Sequence, residues 1–532
     1  MTARAALALR LGLSVLSGCL LFLAVPGFGL WPLMFVAMVP QLWVARAAAT
    51  PRRAFLHGWL TGTVANAGGF YWMDGLLERF GHMPAIEALP IMLLLVSYQG
   101  LAFALLSWLV RRGVDRTGRA LALLAPLVMV TIELVVPQMF PYYLGFAVAF
   151  VPRLIQVADL TGPLGVTALL LAFNGALADL VRDRGAWRGL AVAGALLIAD
   201  VGYGSVRLHQ VDARRAAAPK VRTGLVQANV GILEKWDPAE FARLLRLHQQ
   251  ASADLQRGGA QLIVWPESSY PYALPRDFAH DFPSEDARRI RRGFDTPLLF
   301  GALTVADRSA RHGPDKYPYN TALMMDAAGD ITGKFDKVFL MLFGEYIPLY
   351  DSIPWFTEIF PEASNFSRGS APASFPLRTA AGNYKLGPLI CYEDILPGWA
   401  RRVAQLDPNA FVNITNDAWF GRTAEPHQHL ALAVFRAVEH RLEMVRAVNT
   451  GVSAHVDAGG RVLAETESVD PAEQPPAEPK TLLVDLAMLP GGGVYRVVGD
   501  LFGWTCLAVL GFLLVVPSAR KRVRGDAGRT DS

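Results

Sequence analysis

Three strand-like segments in the second half of the chain each lead into a side chain that can take part in catalysis. Leu262–Trp265 leads through a proline to Glu267, and Leu386–Ile390 leads directly to Cys391. Lys337 follows an extended segment between them. These groups suit covalent catalysis at an acyl carbon, because a base must take the thiol proton and a cation must stabilise the oxyanion. Glu267 can serve as the base, Lys337 as the cation and Cys391 as the nucleophile.

The thiol of Cys391 needs both partners, because a free cysteine with a pKa of about 8.5 is mostly protonated at neutral pH. A nearby ammonium favours the thiolate and stabilises the oxyanion that its attack produces. The product is a thioester, which an amine or water can resolve. Each residue alone is ordinary, but the order Glu, Lys, Cys beside three apolar runs indicates acyl chemistry that requires no histidine.

The composition indicates a membrane protein with a separate globular part. The chain has 532 residues, too many for one ordinary domain, and 52% of them are hydrophobic while only 18% are charged. The small net charge of +4 argues against a nucleic-acid binder, which would need a concentrated basic face. Three cysteines, two of them in apolar runs, exclude a disulfide framework.

Apolar segments long enough to cross a bilayer are concentrated in the first part of the chain. At roughly 20 residues per span, we expect about seven spans in residues 1–215 and one more in 498–517. Residues 220–489 have the short apolar runs and turns of a soluble domain, and 518–532 form a basic tail. The predicted fold is therefore a bundle of about eight transmembrane helices plus one globular domain. The expected centres of the first seven spans are Val15, Met38, Ala65, Val96, Val128, Leu170 and Ala193.

Basic residues cluster in alternate loops between the expected spans, and the intervening loops have almost none. Because cytoplasmic loops are enriched in lysine and arginine, we expect both termini in the cytoplasm and the globular domain in the periplasm of a bacterial inner membrane. Leu16–Cys19 resembles a lipoprotein processing site, but its apolar run continues, which favours an uncleaved first span. The basic residues are Arg46, Arg52, Arg53, Arg111, Arg112, Arg116, Arg119, Arg182, Arg184, Arg188, Arg520, Lys521, Arg522 and Arg524.

Three motifs resemble those around the Glu-Lys-Cys triad of the nitrilase superfamily. They are WPES at 265–268, K…FGEYIP at 337–348 and ICYED at 390–394. The multi-span N-terminal half and the C-terminal span resemble the apolipoprotein N-acyltransferase family, essentially from end to end. The resemblance implies an αββα sandwich for the globular domain and assigns the base, oxyanion-stabilising and nucleophile roles to the same three residues. Further matching motifs are KWD at 235–237, FSRG at 366–369, NDAWFG at 416–421 and QHL at 428–430.

The resemblance also implies roles for residues around the triad. Glu345 would be a second carboxylate that supports the base and the lysine. Tyr392 and Glu393, directly after the nucleophile, match positions that the family needs for activity. The expected substrate-binding residues are Trp236, which matches a lipid-associated tryptophan on a mobile loop, Phe343 and Trp419.

The implied reaction is the N-acylation of lipoproteins. An acyl chain of a phospholipid, expected to be phosphatidylethanolamine, would pass to Cys391 as a thioester and then to the α-amine of the diacylglyceryl-cysteine of an apolipoprotein. Glu267 would move the proton in both halves of this ping-pong reaction. We expect a monomer without a cofactor. We also expect no metal, because His427 and His429 have no third ligand nearby in the sequence.

Two apolar segments of the globular domain, 338–343 and 353–360, are expected to face the bilayer and line a lipid cavity, unless they cover the domain's own core. Four polar residues in the spans should face the helix bundle, because exposure to lipid is costly. There they would hold the bundle together or contact a headgroup. These residues are Asn66, Glu133, Asn174 and Asp179.

Two other functions are open on the sequence alone. A membrane-tethered carbon–nitrogen hydrolase that acts on small amides would share the triad, but it would not need so many spans. A transporter with an attached domain would have repeated and broken helices, which the apolar segments do not show.

Overall fold

The computed structural model describes residues 2–79, 83–307, 315–342, 344–347, 365–380, 382–470 and 478–515. These residues fall into two compact units. The first comprises the described parts of Met1–Asp74, Ala85–Val206 and Val497–Ser532, and the second those of Gly75–Pro84 and Arg207–Arg496. Every strand assigned in the described residues belongs to the second unit.

The helices begin and end where the sequence supplies caps and breakers. The hydroxyls of Thr2 and Thr50 accept hydrogen bonds from backbone amides in the first turns of the helices that follow them. In chain order the α-helices are α1 (Ala3–Ala24), α2 (Val39–Ala47), α3 (Pro51–Gly69), α4 (Met73–Arg79), α5 (Ala85–Thr117), α6 (Leu121–Val135), α7 (Pro152–Ile155), α8 (Ala158–Thr161), α9 (Pro163–Arg182), α10 (Trp187–Ala217), α11 (Ile232–Lys235), α12 (Phe241–Arg257), α13 (Pro397–Ala404), α14 (Glu425–His440), α15 (Tyr495–Val498) and α16 (Leu501–Val515).

Four helical segments within the described residues are long and apolar enough to cross a membrane: α1, α5, α9 and Arg184–Ala217, which contains α10. The expected count of about eight spans is therefore not confirmed. The apolar helices α6 and α16 have 15 residues each, about 22 Å of helix against a hydrocarbon core of about 30 Å. The segment around Met38 forms only the nine-residue α2 and a short 3-10 helix, and α3 is too polar.

The four polar residues of the spans all bind neighbouring elements of the first unit. Asn174 accepts a hydrogen bond from the amide of Met38 at 2.9 Å, and Asp179 forms an ion pair with Arg46. The other two residues bind the connection between α6 and α7. Asn66 accepts a hydrogen bond from the hydroxyl of Tyr142, and Glu133 accepts one from the backbone amide of Leu144. Their polar groups therefore hold the bundle together, as expected for polar groups among apolar helices.

The second unit contains two β-sheets. The first has the order β13-β1-β2-β4-β5-β6, with β3 paired to β4, and the second has the order β12-β11-β10-β9-β8-β7. The strands are β1 (Lys220–Gln227), β2 (Leu262–Val264), β3 (Tyr270–Pro275), β4 (Leu298–Val305), β5 (Tyr319–Met325), β6 (Ile331–Asp336), β7 (Phe375–Thr379), β8 (Gly382–Ile390), β9 (Ala410–Thr415), β10 (Glu443–Val448), β11 (Ala454–Val456), β12 (Val462–Glu465) and β13 (Lys480–Ala487).

The two sheets pack face to face between outer helices. Strands β1 and β13 of the first sheet contact β10 of the second. Helix α12 covers the first sheet and places Leu245 and Leu255 in a core with Val226, Ile263 and Trp265. Helix α13 packs against β8 of the second sheet, and α14 packs beside it. The unit is thus an α/β sandwich with the layer order α, β, β, α.

Parallel strands bring the reactive segments to the ends of the sheets. Strands β8, β9 and β10 run parallel, so the turns that follow them lie at one edge of the second sheet. Strands β1, β2 and β4 are likewise parallel in the first sheet. Side chains needed for chemistry commonly lie at such carboxyl ends, where turns leave the rigid strands.

Candidate active site

Glu267 lies in a turn that the first sheet holds tightly. The turn follows β2 through Trp265 and Pro266, and the side chain of Glu267 is buried. Gly301 of β4 lies against this turn, and a Cβ atom at Gly301 would lie only 2.4 Å from the backbone nitrogen of Ser268. A glycine is therefore required for this close approach, which fixes the backbone of the carboxylate.

Lys337 follows β6 and points its ammonium between two carboxylates. Its Nζ lies 3.1 Å from Oε1 of Glu267 and 2.7 Å from Oε2 of Glu345. The lysine is 1% exposed. Burying a charge this deeply is costly unless it is paired and hydrogen-bonded, and both conditions hold here.

Asn320 in β5 completes this group, although the sequence analysis did not single it out. Its Nδ2 donates to Oε1 of Glu267 at 2.6 Å and to Oε1 of Glu345 at 3.1 Å. Its backbone carbonyl oxygen accepts a hydrogen bond from the backbone amide of Lys337 at 2.9 Å. The available signal was an amide side chain at the start of an otherwise apolar strand, because buried polar groups must find partners.

Cys391 lies directly after β8, at the first residue of a 3-10 helix that extends to Ile395. Its φ of 50° is in the left-handed region, which is uncommon for a residue other than glycine. Strain of this kind is often found at functional sites. The carbonyl oxygen of Cys391 accepts a hydrogen bond from Nδ2 of Asn413 in β9 at 3.3 Å, which supports the strained turn.

Glu267, Lys337, Glu345 and Cys391 form what we call the reactive group, and their charges act on one another. Burial and the charges of Glu267 and Glu345 raise the pKa of the Cys391 thiol, and the ammonium of Lys337 opposes them. Burial alone would lower the pKa of Lys337, but the charges of Cys391, Glu267 and Glu345 outweigh it and raise that pKa well above its usual value. Lys337 is therefore charged at neutral pH, and the thiol needs a local base to lose its proton.

Glu393 connects the turn that contains Cys391 to the segment that follows Lys337. Its Oε1 accepts hydrogen bonds from the amides of Val338 at 2.8 Å and Phe339 at 3.2 Å. Its Oε2 accepts from the amide of Ile390 at 3.0 Å. The carboxylate is fully buried, and burial raises its pKa to about 7 although these hydrogen bonds oppose the shift. Glu393 thus ties the residues after Lys337 to the residue before the nucleophile.

The other predicted site residues lie around this group to different extents. Tyr392 is half-buried beside Cys391, and burial raises its pKa. Trp236 is 45% exposed and follows Lys235, whose ammonium donates to the carbonyl oxygen of Glu267 at 2.9 Å. Trp419 is half-buried in the turn that follows β9. Phe343 lies outside the described residues.

A second buried charged cluster lies behind the nucleophile turn. Nε2 of His429 lies 2.8 Å from Asp394 and its Nδ1 lies 3.2 Å from Asp417, so the imidazole bridges the turns after β8 and β9. Arg446 of β10 pairs with the other oxygen of Asp394. Burial and Arg446 alone would lower the pKa of His429, but the charges of Asp394 and Asp417 outweigh them and raise it to about 10.

Asp417, Glu425 and His429 also place three ligand atoms within 4.8 Å of one another, a spacing that a metal ion could bridge. Burial and the charge of Asp417 raise the pKa of Glu425 well above its usual value. This shift favours the neutral carboxyl of Glu425. Asp394 and Asp417 are paired with two cationic side chains of the same chain, His429 and Arg446, and such pairing compensates buried charge.

Replacing His429 with glutamine is expected to lower the free energy of unfolding by about 3 kcal/mol below pH 6.5. The folded pKa of about 10 lies above the ordinary value of 6.5, so the charge stabilises the fold fully below pH 6.5 and is lost as the pH rises toward 10. The difference between the two proteins should shrink over that range. Urea unfolding of the full-length proteins in detergent, from about pH 6 to about pH 9, measures it.

His280 provides the matched control for this variant. It pairs with Asp330, but both side chains are exposed. Replacing His280 with glutamine should change the free energy of unfolding by less than about 0.5 kcal/mol at every pH, because exposed pairs contribute little. A loss in the His429 variant that does not vary with pH would contradict a charged imidazole.

The geometry as a whole suits acyl transfer through a thiol. A carboxylate and an ammonium are in contact at 3.1 Å, and both act electrostatically on a cysteine in a strained turn. Groups of these types can act as a proton acceptor, an oxyanion partner and a nucleophile. The neighbouring Phe339 and Leu342 are 40% and 39% exposed, so the surface close to Lys337 is apolar.

Known proteins match both parts of the chain. Residues 17–176 match the model of the apolipoprotein N-acyltransferase N-terminal domain, and residues 222–471 match the carbon-nitrogen hydrolase model. The chain is 32% identical to the apolipoprotein N-acyltransferase of Geobacter metallireducens over 523 residues, which cover 96% of each protein. It is 34% identical to that of Rhizobium etli over 480 residues, covering 85% of this chain and 86% of the relative.

Among solved structures, an amidase from Nesterenkonia sp. is similar with a TM-score of 0.35 and 22% identity, covering 51% of this chain and 92% of the amidase. The two matching models follow one another in the order of the two units, with the N-terminal model on the helical part and the hydrolase model on the α/β sandwich. The chain therefore belongs to the apolipoprotein N-acyltransferase family.

Proposed function

We propose that this chain transfers an acyl chain from a phospholipid, through a thioester on Cys391, to the N-terminal amine of the diacylglyceryl-cysteine of an apolipoprotein. The observation that carries the proposal is the buried ammonium of Lys337, which binds Glu267 and Glu345 and acts electrostatically on the thiol. The relatives named apolipoprotein N-acyltransferase supply the substrate class. Phosphatidylethanolamine is the proposed donor, and a monomer the proposed form.

In the first half of the proposed reaction, Glu267 takes the proton of the Cys391 thiol. The sulfur attacks the ester carbonyl carbon of the phospholipid, and the ammonium of Lys337 stabilises the oxyanion. The carbon–oxygen bond to the glycerol then breaks. Glu267 returns its proton to the departing oxygen, so a lysophospholipid leaves and a neutral thioester remains.

In the second half, the neutral α-amine of the diacylated acceptor attacks the thioester carbon. Glu267 takes a proton from the amine as the carbon–nitrogen bond forms. The carbon–sulfur bond breaks, and the protonated Glu267 gives its proton to the Cys391 thiolate. An amine must win over water at this stage, so an apolar environment that excludes solvent favours transfer over hydrolysis.

The proposed setting is a bacterial inner membrane. The exposed apolar side chains of Phe339 and Leu342 support a membrane-facing surface next to the reactive group. We assign the globular domain 220–489 to the periplasm, and both termini, including the tail 518–532, to the cytoplasm. Trp236, Phe343 and Trp419 are the proposed lipid-binding side chains; Glu345, Tyr392 and Glu393 are the proposed supporting residues.

A phospholipid with an alkyne-tagged acyl chain tests the proposal. Incubation of the full-length protein with phosphatidylethanolamine carrying this chain should label the peptide that contains Cys391. Hydroxylamine should remove the label, because a thioester is cleaved by that nucleophile. Addition of a synthetic diacylated lipopeptide should move the tag to the peptide amine.

The outcomes separate two functions that share the three reactive groups. Label on Cys391 that passes to the lipopeptide supports acyl transfer. No label on Cys391 together with fast release of ammonia from small amides would favour the carbon–nitrogen hydrolase and contradict the proposal. Unlabelled peptide with neither activity would contradict both.

A further inference from the structure

A second lysine lies next to the reactive group and has no role in the mechanism above. Lys235 ends α11, and its side chain is 7% exposed. Its ammonium donates to the backbone carbonyl oxygen of Glu267 at 2.9 Å and lies 5.7 Å from the ring centroid of Trp236. Among the described residues it forms no ion pair, unlike Lys337, which has two.

A buried ammonium without a carboxylate in contact is expensive, so its charge must be compensated at longer range. Burial lowers the pKa of Lys235 to about 8, and the charges of Glu267 and Cys391 oppose that shift. These two charges therefore favour the charged form of the lysine. Electrostatic interaction is reciprocal, so Lys235 must in turn favour the negative charge on Glu267 and Cys391.

A count of charges shows why the reactive group needs a second cation. Before proton transfer, Glu267 and Glu345 are negative; after it, Glu345 and the Cys391 thiolate are negative. In either state two negative charges face the one ammonium of Lys337. The ammonium of Lys235 balances the second of these two negative charges, and Glu393, whose pKa burial raises to about 7, adds further negative charge as the pH rises.

The segment that carries Lys235 is firmly attached at its start. The amide of Asn229 donates to the carbonyl oxygen of Asn449 at 2.7 Å, and Nδ2 of Asn449 donates to the carbonyl oxygen of Val230 at 2.8 Å. The same Nδ2 donates to Oδ1 of Asn416, which follows β9. This chain of contacts positions α11, so the buried charge of Lys235 is placed at the site by the fold.

We propose that Lys235 is a positioning residue of the reaction, a second cation that promotes ionisation of the Cys391 thiol and fixes the backbone of Glu267. The proposal rests on the proposed role of Cys391 as nucleophile. It predicts that the charge of residue 235, rather than its hydrogen bond alone, sets the reactivity of the thiol.

Alkylation of Cys391 by iodoacetamide tests this proposal without any lipid. The rate follows the thiolate fraction and is measured by mass spectrometry on the Cys391 peptide of the full-length protein in detergent. Lys235→Gln, which keeps a donor but loses the charge, should slow alkylation about tenfold near pH 7, corresponding to about one pKa unit of the thiol. Lys235→Arg, which keeps the charge, should stay within about twofold of the natural protein.

The pH dependence gives a second readout. The natural protein should be alkylated faster than Lys235→Gln near pH 7, and this difference in rate should disappear above about pH 8, where Lys235 itself becomes neutral. Lys235→Arg should still be alkylated faster than Lys235→Gln above pH 8, because an arginine stays charged. The control is Lys385→Gln, at an exposed lysine in the strand that leads to Cys391, and it should not change the rate.

Each outcome decides the proposal. A Lys235→Gln protein that is alkylated as fast as the natural one, or glutamine and arginine variants that are slowed equally, would show that the charge of Lys235 does not act on the thiol. Slower alkylation of Cys391 in Lys235→Gln, together with an unchanged rate in Lys235→Arg, supports the proposal. If Cys391 of the natural protein reacted no faster than the buried Cys506, the nucleophile assignment itself would be wrong, which is a separate result.

Discussion

Replacing Cys391 with alanine is expected to reduce acyl transfer at least about 10⁴-fold. No other group can form the thioester in the proposed mechanism, and the residual rate would come from binding and from the cation alone. The measurement is the conversion of a diacylated to a triacylated lipopeptide by the purified protein, followed by mass spectrometry. The fold should survive, because alanine removes one half-buried sulfur and keeps the same backbone.

A matched substitution is available at Cys19, a half-buried cysteine in α1. Cys19→Ala should retain activity within about twofold, because cysteines outside the site act as small apolar groups. Substantial activity in Cys391→Ala would rule out covalent catalysis through this thiol. In that case direct attack of the amine on the phospholipid ester would have to be considered.

Replacing Lys337 with methionine is expected to lower both activity and stability. Acyl-enzyme formation should fall about 10³-fold, because the group that faces the oxyanion is lost. The free energy of unfolding should fall by about 3 kcal/mol or more, because Glu267 and Glu345 would remain close together without their cation. The rate of Cys391 labelling by the tagged phospholipid measures the first effect, and urea unfolding in detergent the second.

A double variant separates the two effects of Lys337. Combining Lys337→Met with Glu345→Gln removes one of the two uncompensated carboxylates and should recover part of the lost stability. The labelling rate should remain low, because no ammonium has been restored. Recovery of activity together with stability would mean that Lys337 only holds the fold.

The placement of reactive residues at strand ends followed from the sequence because the informative features are local, whereas the αββα layer order was implied only by the family resemblance. Short apolar runs ended at chemically active residues, and parallel strands place such ends at common edges. Glu267, Lys337 and Glu345 are in direct contact, and Cys391 is close enough for its charge to affect Lys337. The count of spans did not follow, because hydropathy recognises apolar segments but does not show where a helix ends, as the 15 residues of α6 illustrate.

The contacts that complete the site depend on pairing over long distances in the sequence. Asn320 meets Glu267 across 53 residues, and His429 meets Asp394 across 35. No periodicity or spacing predicts such pairs, because register and packing of the whole sandwich create them. On the sequence alone, His429 is a weak metal ligand and part of the QHL motif, and Lys235 is part of the KWD motif. The partners that give both residues their chemistry are visible only in three dimensions.

The hydrogen bonds of Glu393 join the two sheets of the sandwich beside Lys337 and Cys391. The carboxylate belongs to the turn after β8 in one sheet, and it holds the amides of Val338 and Phe339, which follow β6 in the other sheet. The Cys391 thiol and the Lys337 ammonium therefore come from opposite layers of the sandwich. Any displacement of one sheet relative to the other would change the distance between the two groups, so the packing of the whole core sets their alignment.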